Sequence, residues 1–148
     1  VMVAPPFHPL AGRRGVAREA LANEAFLYRE EGSGSRAIYD FFVGDIMVKS
    51  AQVGIELGSN ESIKQAAMAG LGIALISAHT VAAEVADGRL CVLDVAGLPI
   101  VRHWFVIHRA DRALSPIAQV FRDFVVARGA QFLPRLPRGA ERARPRKS

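Results

Sequence analysis

Short apolar, strand-like runs alternate with helix-like segments, and this alternation limits the possible folds more than any other feature of the chain. The strand-like runs are Val1–Ala4, Ala25–Arg29, Val53–Leu57, Ile73–Ile76 and Leu90–Val95. Strands that are separated by helices are typical of α/β proteins with a largely parallel sheet. The sequence therefore predicts an α/β fold with a mostly parallel sheet.

The segments between these runs have the spacing and the end signals of helices. Ser35–Val43 places apolar residues on one helical face, and Gly44 is expected to end that helix. Ser59 is a good N-cap for a helix over Asn60–Ala69. A shorter helix is expected to begin at Ser77 or His79 and to end at Ala86. In the strand before Ser59, the strict alternation of Val53–Leu57 predicts that Val53, Ile55 and Leu57 face the core.

The chain changes character after a linker at Ala96–Pro99. A long strand is predicted over Ile100–His108, followed by a helix that Ser115 caps, with Pro116 at its first position. An apolar stripe runs along this helix and needs a partner surface.

The basic charge of the chain lies at its C-terminal end. Of the 19 Lys and Arg residues, six follow Leu133, where there is one acidic residue, so the rest of the chain carries 13 basic and 13 acidic side chains. Residues 131–148 are therefore expected to form a disordered, solvated basic tail. Weak contact of this tail with DNA phosphates is the alternative.

Several classes of protein are disfavoured by what the sequence lacks. There is no apolar run of about 18 residues and no signal-peptide pattern, so we expect a cytoplasmic chain with no membrane partner. Cys91 is the only cysteine, and the four histidines lack metal-ligand spacing, so no disulfide, metal or cofactor is expected. No nucleophile and base are paired, which argues against an enzyme.

Three strand-to-helix turns share a serine-rich composition. They contain Ser33, Gly34, Ser35 and Arg36 in the first turn, Ser59 and Asn60 in the second, and Ser77 in the third. Turns that follow parallel strands lie at one edge of the sheet, where helix N-termini offer free N–H groups to an anion. These seven residues are the predicted anion site, and Arg36 would add a bidentate contact. The alternative is that the serines only cap their own helices.

A stretch from Glu56 to Arg109, including SNESIKQ and AGLGIALIS, resembles the effector-binding domain of LysR-type transcriptional regulators. The segments VAPPFHPLAG, FLYREEGSGSR and LSPIAQVFRDFV agree with the same family. Within the family the chain is most similar to the regulators of Calvin-cycle operons, which control ribulose-bisphosphate carboxylase genes.

The resemblance implies a fold of two lobes of the type-2 periplasmic-binding-protein kind. Residues 1–96 would be lobe two with the crossover strand, and residues 97–130 the strand and helix that return to an incomplete lobe one. Because the strands that these two elements normally pack against would be missing, the resemblance also implies exposure of four aromatic side chains: Trp104, Phe105, Phe121 and Phe124. The DNA-binding helix-turn-helix head and most of lobe one are not in this sequence, so DNA contact is expected only through that missing head.

The resemblance also implies a function. The parent protein would be a homo-oligomer, a dimer or tetramer, that controls carbon-fixation genes in response to a small anionic effector, such as a phosphorylated sugar or a nucleotide cofactor. Two alternatives stay open: a stand-alone solute-binding module of the same fold, which a secretion signal upstream would favour, and a small enzyme.

Overall fold

The computed structural model describes residues 1–47 and 54–137, and these form an α/β arrangement. The strands are β1 Met2–Ala4, β2 Phe26–Arg29, β3 Ile55–Leu57, β4 Ile73–Leu75 and β5 Cys91–Leu93. The helices are α1 Gly34–Met47, α2 Asn60–Met68, α3 Ala78–Ala86 and α4 Pro116–Arg128, with 3-10 turns at Arg18–Leu21 and Gly129–Phe132. The α/β class predicted from the alternation is confirmed.

The five strands form one sheet in the order β3-β2-β4-β1-β5. β2 is parallel to both β3 and β4, with Leu27 opposite Ile55 and Phe26 opposite Ile73. β1 is antiparallel to both β4 and β5. Four strands therefore share one direction, as predicted, and β1 is an exception that was not predicted.

The two faces of the sheet are covered by different helices. Side chains alternate along a strand, so Phe26 and Leu27 of β2 point to opposite faces. Phe26 packs in a cluster with Tyr39, Phe42 and Val43 of α1. Leu27 packs in a second cluster, together with the α2 residues Ile63 and Ala67 and with Val81 of α3. α1 thus lies on one face of the sheet, and α2 and α3 lie on the other.

Two local predictions in this part of the chain are wrong. α1 continues through Gly44 to Met47, because one glycine costs a helix only about 1 kcal/mol relative to alanine and packing outweighs it. Ile55 is 39% exposed although its alternation predicted a core position. The reason is that β3 is an edge strand with a neighbour on one side. Val53 lies outside the described residues.

Residues Val101–Pro134 form a compact unit of their own, separate from the unit of Val1–Ile100 and the described residues after Pro134. The strand predicted over Ile100–His108 is wrong, since the segment adopts no regular structure. A strand needs a neighbour for its backbone N–H and C=O groups, and no described residue pairs with this one. The predicted helix is confirmed: Ser115 Oγ accepts a hydrogen bond from Ala118 N at 3.4 Å, and Pro116 begins α4.

The apolar side chains of this second unit are exposed, as predicted. Trp104, Phe105 and Phe121 are exposed by 80%, 81% and 67%, and Phe124 by 42%. In an ordinary globular domain such side chains supply the core, because each contributes about 1.5–3 kcal/mol when buried. The packing within this unit therefore leaves its apolar side chains uncovered.

Regular structure extends further toward the C-terminus than predicted. The 3-10 turn at Gly129–Phe132 passes residue 130, and Leu136 packs against the second cluster of the sheet. The division of the chain at residues 96 and 130 stays a prediction, and the basic tail lies outside the described residues from residue 138 onward. No helix in the described ranges has the length and apolar character to cross a bilayer.

Candidate anion-binding site at one edge of the sheet

The three serine-bearing turns lie at the same edge of the sheet. β3, β2 and β4 are adjacent and run in one direction. They lead into α2, α1 and α3, respectively, so their carboxyl ends and the turns after them share that edge. Adjacent strands are about 4.8 Å apart, which puts the ends of β3 and β4 roughly 10 Å from each other with β2 between them.

The first turn leads from β2 into α1. Ser33 Oγ accepts a hydrogen bond from Arg36 N at 3.1 Å, and the Ser33 carbonyl accepts one from Ala37 N at 3.2 Å. Ser33 therefore caps the helix. Gly34 and Ser35 lie in the first helical turn, where N–H groups have no partner within the helix. Those two amides and the Ser35 hydroxyl are the groups that this turn offers to a ligand.

The second turn leads from β3 into α2. Ser59 Oγ accepts from Ser62 N at 3.0 Å, so Ser59 is an N-cap, as predicted. Asn60 begins the helix, and its Oδ1 accepts a hydrogen bond from Arg29 Nη1 at 3.1 Å. Arg29 ends β2, so this bond joins the first two turns across neighbouring strands.

The third turn leads from β4 into α3, and its serine behaves differently. Ser77 precedes the helix in an extended conformation, is exposed, and makes no capping hydrogen bond with its side chain. The alternative that the serines only cap their helices therefore fits Ser33 and Ser59 but not Ser77.

Arg36, the predicted bidentate partner of an anion, is already held by protein groups. Its Nε donates to Asp40 Oδ1 at 2.8 Å, and its Nη1 donates to Glu56 Oε2 at 3.1 Å. Nη1 also donates to the Arg29 carbonyl at 3.2 Å, and the guanidinium carbon lies 4.5 Å from the centre of the Tyr28 ring. The guanidinium is thus fixed in place at the edge, and a ligand has to share it with two carboxylates.

Arg29, which is not among the predicted site residues, also belongs to this edge. Besides Asn60, its guanidinium contacts both carboxylate oxygens of Glu30, each at 2.6 Å. These bonds lower the pKa of Glu30 to about 2. The position of Arg29, last in a strand and just before a Gly-Ser turn, was the available signal. Its side chain lies on the face of Leu27, whereas Arg36 stacks on Tyr28 on the face of α1.

A buried ion pair connects the two helices that lie on the same face. Lys64 Nζ of α2 is 2.9 Å from Glu84 Oε1 of α3, and these side chains are 12% and 9% exposed. The hydrogen bond from Lys64 holds the pKa of Glu84 below its usual value. The second oxygen of Glu84 is buried without a partner among the described residues. Lys64 and Glu84 are 20 residues apart, and no local sequence pattern predicts that they pair.

Cys91 is buried in β5, where burial raises the pKa of its thiol, so it is the core residue that was expected. His103 and His108 were placed on a strand that does not form. The described residues contain no group of three or more His, Cys, Asp or Glu side chains that could hold a metal ion.

Comparison with known proteins gives the family of the chain. The model of the LysR substrate binding domain matches residues 1–130. The HTH-type transcriptional regulator CbbR of Sinorhizobium medicae (strain WSM419) is 51% identical over 134 residues, which are 90% of this chain and 43% of the regulator. CbbR of Xanthobacter flavus is 49% identical over 94% of this chain and 42% of its own length. The chain thus spans less than half the length of these relatives.

Solved structures agree with the fold. The regulatory domain of Synechocystis PCC6803 CcmR, in complex with 2-PG, superposes with a TM-score of 0.78 at 42% identity, covering 86% of this chain and 61% of that domain. The effector binding domain of QuiR in complex with shikimate has a TM-score of 0.69 at 20% identity, over 90% of this chain and 62% of that one. The fold and the sequence together establish that the chain belongs to the LysR substrate-binding domain family.

Proposed function

We propose that this chain is the effector-binding part of a LysR-type transcriptional regulator that senses a small anionic, phosphorylated metabolite and controls carbon-fixation genes. The observation that carries the proposal is the shared edge of the three turns, in a chain 42% identical to a regulatory domain solved with 2-PG. Relatives named as CbbR, and one named as a RuBisCO operon transcriptional regulator from Allochromatium vinosum, support the target genes.

The proposed site consists of Ser33, Gly34, Ser35, Arg36, Ser59, Asn60 and Ser77. Each helix N-terminus carries a partial positive charge of roughly half an elementary charge and unpaired N–H groups. α2 and α3 pack on one face of the sheet and α1 on the other, so a ligand with two acidic ends is suited to contacting helix N-termini from both faces at the edge. Ser77, which does not cap its helix, is an available hydroxyl donor.

The regulatory step would follow from differential binding. A ligand shifts a conformational equilibrium only as far as its affinities for the two states differ. An effector that binds one arrangement of the parent protein more tightly would bias a homo-oligomer on DNA. In this proposal the protein acts in the cytoplasm, contacts DNA through a head outside this sequence, and has no catalytic activity.

Isothermal titration of 2-PG into the parent protein, which carries both lobes, tests the proposal. We expect saturable binding that is lost or weakened at least fivefold by Arg36→Ala and by Ser35→Ala. Val126→Ala in α4 is a control at an exposed position remote in sequence from the turns, and it should leave the affinity unchanged. Wild-type binding that neither site variant alters would refute the site, and an absence of binding would refute the ligand class.

The transcriptional role has its own test. The nucleotide sequence upstream of the codon for Val1 should encode a helix-turn-helix. A secretion signal there would instead favour the stand-alone solute-binding module.

A further inference from the structure

Two carboxylates share one guanidinium at the proposed site, and they differ in where they come from. Asp40 lies on α1, four residues after Arg36, so both groups belong to one rigid helix. Glu56 comes from β3, in a different element. The Asp40 contact uses the Nε side of the guanidinium, and the Glu56 contact uses Nη1.

The two contacts leave one part of the guanidinium open. Nη2 of Arg36 has no partner among the described residues. A phosphate or carboxylate binds an arginine best through two parallel N–H···O bonds. If Asp40 keeps the Nε side, the remaining pair of donors is Nη1 with Nη2, and Nη1 is where Glu56 binds.

The position of the guanidinium itself does not depend on Glu56. Stacking on Tyr28, the bond to the Arg29 carbonyl and the bond to Asp40 hold it from three other directions. The side chain of Glu56 is 53% exposed, so it can turn into solvent without burying an unpaired charge. An ion pair with such an exposed partner is weak.

On the basis of the proposed function, we infer that Glu56 is an internal competitor of the ligand, which occupies the Arg36 donors in the free protein and leaves when an anion binds. The contact lowers affinity and so sets the anion concentration at which the site fills. Glu56 therefore lowers the affinity of the site for an anion, whereas the residues that hold the ligand raise it.

The test is the affinity of Glu56→Gln for 2-PG and for inorganic phosphate, measured by isothermal titration of the parent protein with both lobes. Glutamine keeps the length of the side chain and removes its charge. We expect affinity for both ligands to rise about two- to fivefold, the range for losing one exposed ion pair. Glu31→Gln makes the same charge change at an exposed position beside the first turn, without a contact to Arg36, and controls for general electrostatics. Its effect should be clearly smaller.

A double-mutant cycle shows whether the gain in affinity acts through Arg36 or only through the loss of a negative charge. In the Arg36→Ala background, Glu56→Gln should no longer raise affinity, because the competition acts through Arg36. Wild-type binding with an unchanged or weaker affinity in Glu56→Gln would overturn the inference and leave the proposed function standing. The same gain with and without Arg36 would overturn it as well. If neither wild type nor Glu56→Gln binds either ligand, the proposed function fails and the inference fails with it.

Discussion

Removing Lys64 should destabilise the sheet unit strongly, because Glu84 would then be a buried carboxylate without its main partner. Breaking one side of a buried ion pair costs about 3–5 kcal/mol. Glu84 is 9% exposed, and Arg89 Nη2 lies 3.7 Å from its Oε1, so some compensation remains. We therefore expect Lys64→Met to lower the free energy of unfolding by roughly 3 kcal/mol, or the Tm by roughly 10 °C.

The assay is urea unfolding followed by circular dichroism, with two comparison variants. The double variant Lys64→Met with Glu84→Leu removes both charges and should unfold within about 1 kcal/mol of wild type, or be more stable. Glu61→Gln removes the exposed partner of Lys64 and should cost less than about 1 kcal/mol. If Lys64→Met costs no more than Glu61→Gln, the buried pair does not carry the energy assigned to it.

The pH dependence of the stability provides an independent test of the same ion pair. Lys64 lowers the pKa of Glu84 in the folded protein, so the ion pair stabilises the folded state at pH values above 4.5, the ordinary pKa of this carboxyl. The stabilisation is lost as the pH falls through the lowered pKa of the folded state. Without Lys64, burial favours the protonated carboxyl of Glu84 instead. The difference in stability between wild type and Lys64→Met should therefore shrink from pH 7 to pH 4. A difference that is constant or grows would contradict the assignment.

Further predictions concern the turns, the core and the second unit. Ser59→Ala should lower the free energy of unfolding by about 1 kcal/mol, because the Ser59 side chain caps α2. Ser77→Ala should lower it by less than about 0.5 kcal/mol, because Ser77 makes no capping bond. Urea unfolding measures both variants, and equal losses would contradict the difference in capping. Gly72→Ala should cost about 1–3 kcal/mol in the same assay, because its Cβ would lie 2.5 Å from the Ala25 carbonyl oxygen. The Cys91 thiol, buried and raised in pKa, should react with a thiol reagent only after unfolding; fast reaction in native buffer would refute its burial. The apolar surface of Val101–Pro134 should bind a hydrophobic dye and cause self-association, and a monodisperse monomer that binds no dye would contradict this.

Much of the sheet unit was predictable because its signals are local. Alternating apolar runs located all five strands, and Ser59 and Ser115 marked the starts of α2 and α4. The common edge of the three turns followed from strand direction alone. The direction of β1 was missed, since a short apolar run contains no information about which neighbour it pairs with. The continuation of α1 past Gly44 and the exposure of Ile55 were missed as well.

The predictions failed where structure depends on neighbours distant in sequence. The apolar run from Ile100 to His108 has strand character, but a strand forms only beside a partner. The contacts of Arg36 with Glu56 and of Lys64 with Glu84 span 20 residues each and have no local signature. For the same reason the sequence suggested a free arginine at the site, whereas the structure has one that two carboxylates already hold.

The central claim is that the shared edge of the three turns binds a small phosphorylated anion, and backbone amide NMR during a 2-PG titration tests it most directly. We expect the largest shift changes at the amides that begin α1, α2 and α3, among them Gly34, Ser35 and Asn60. Saturable changes centred elsewhere, for example at the opposite edge of the sheet or on α4, would contradict it.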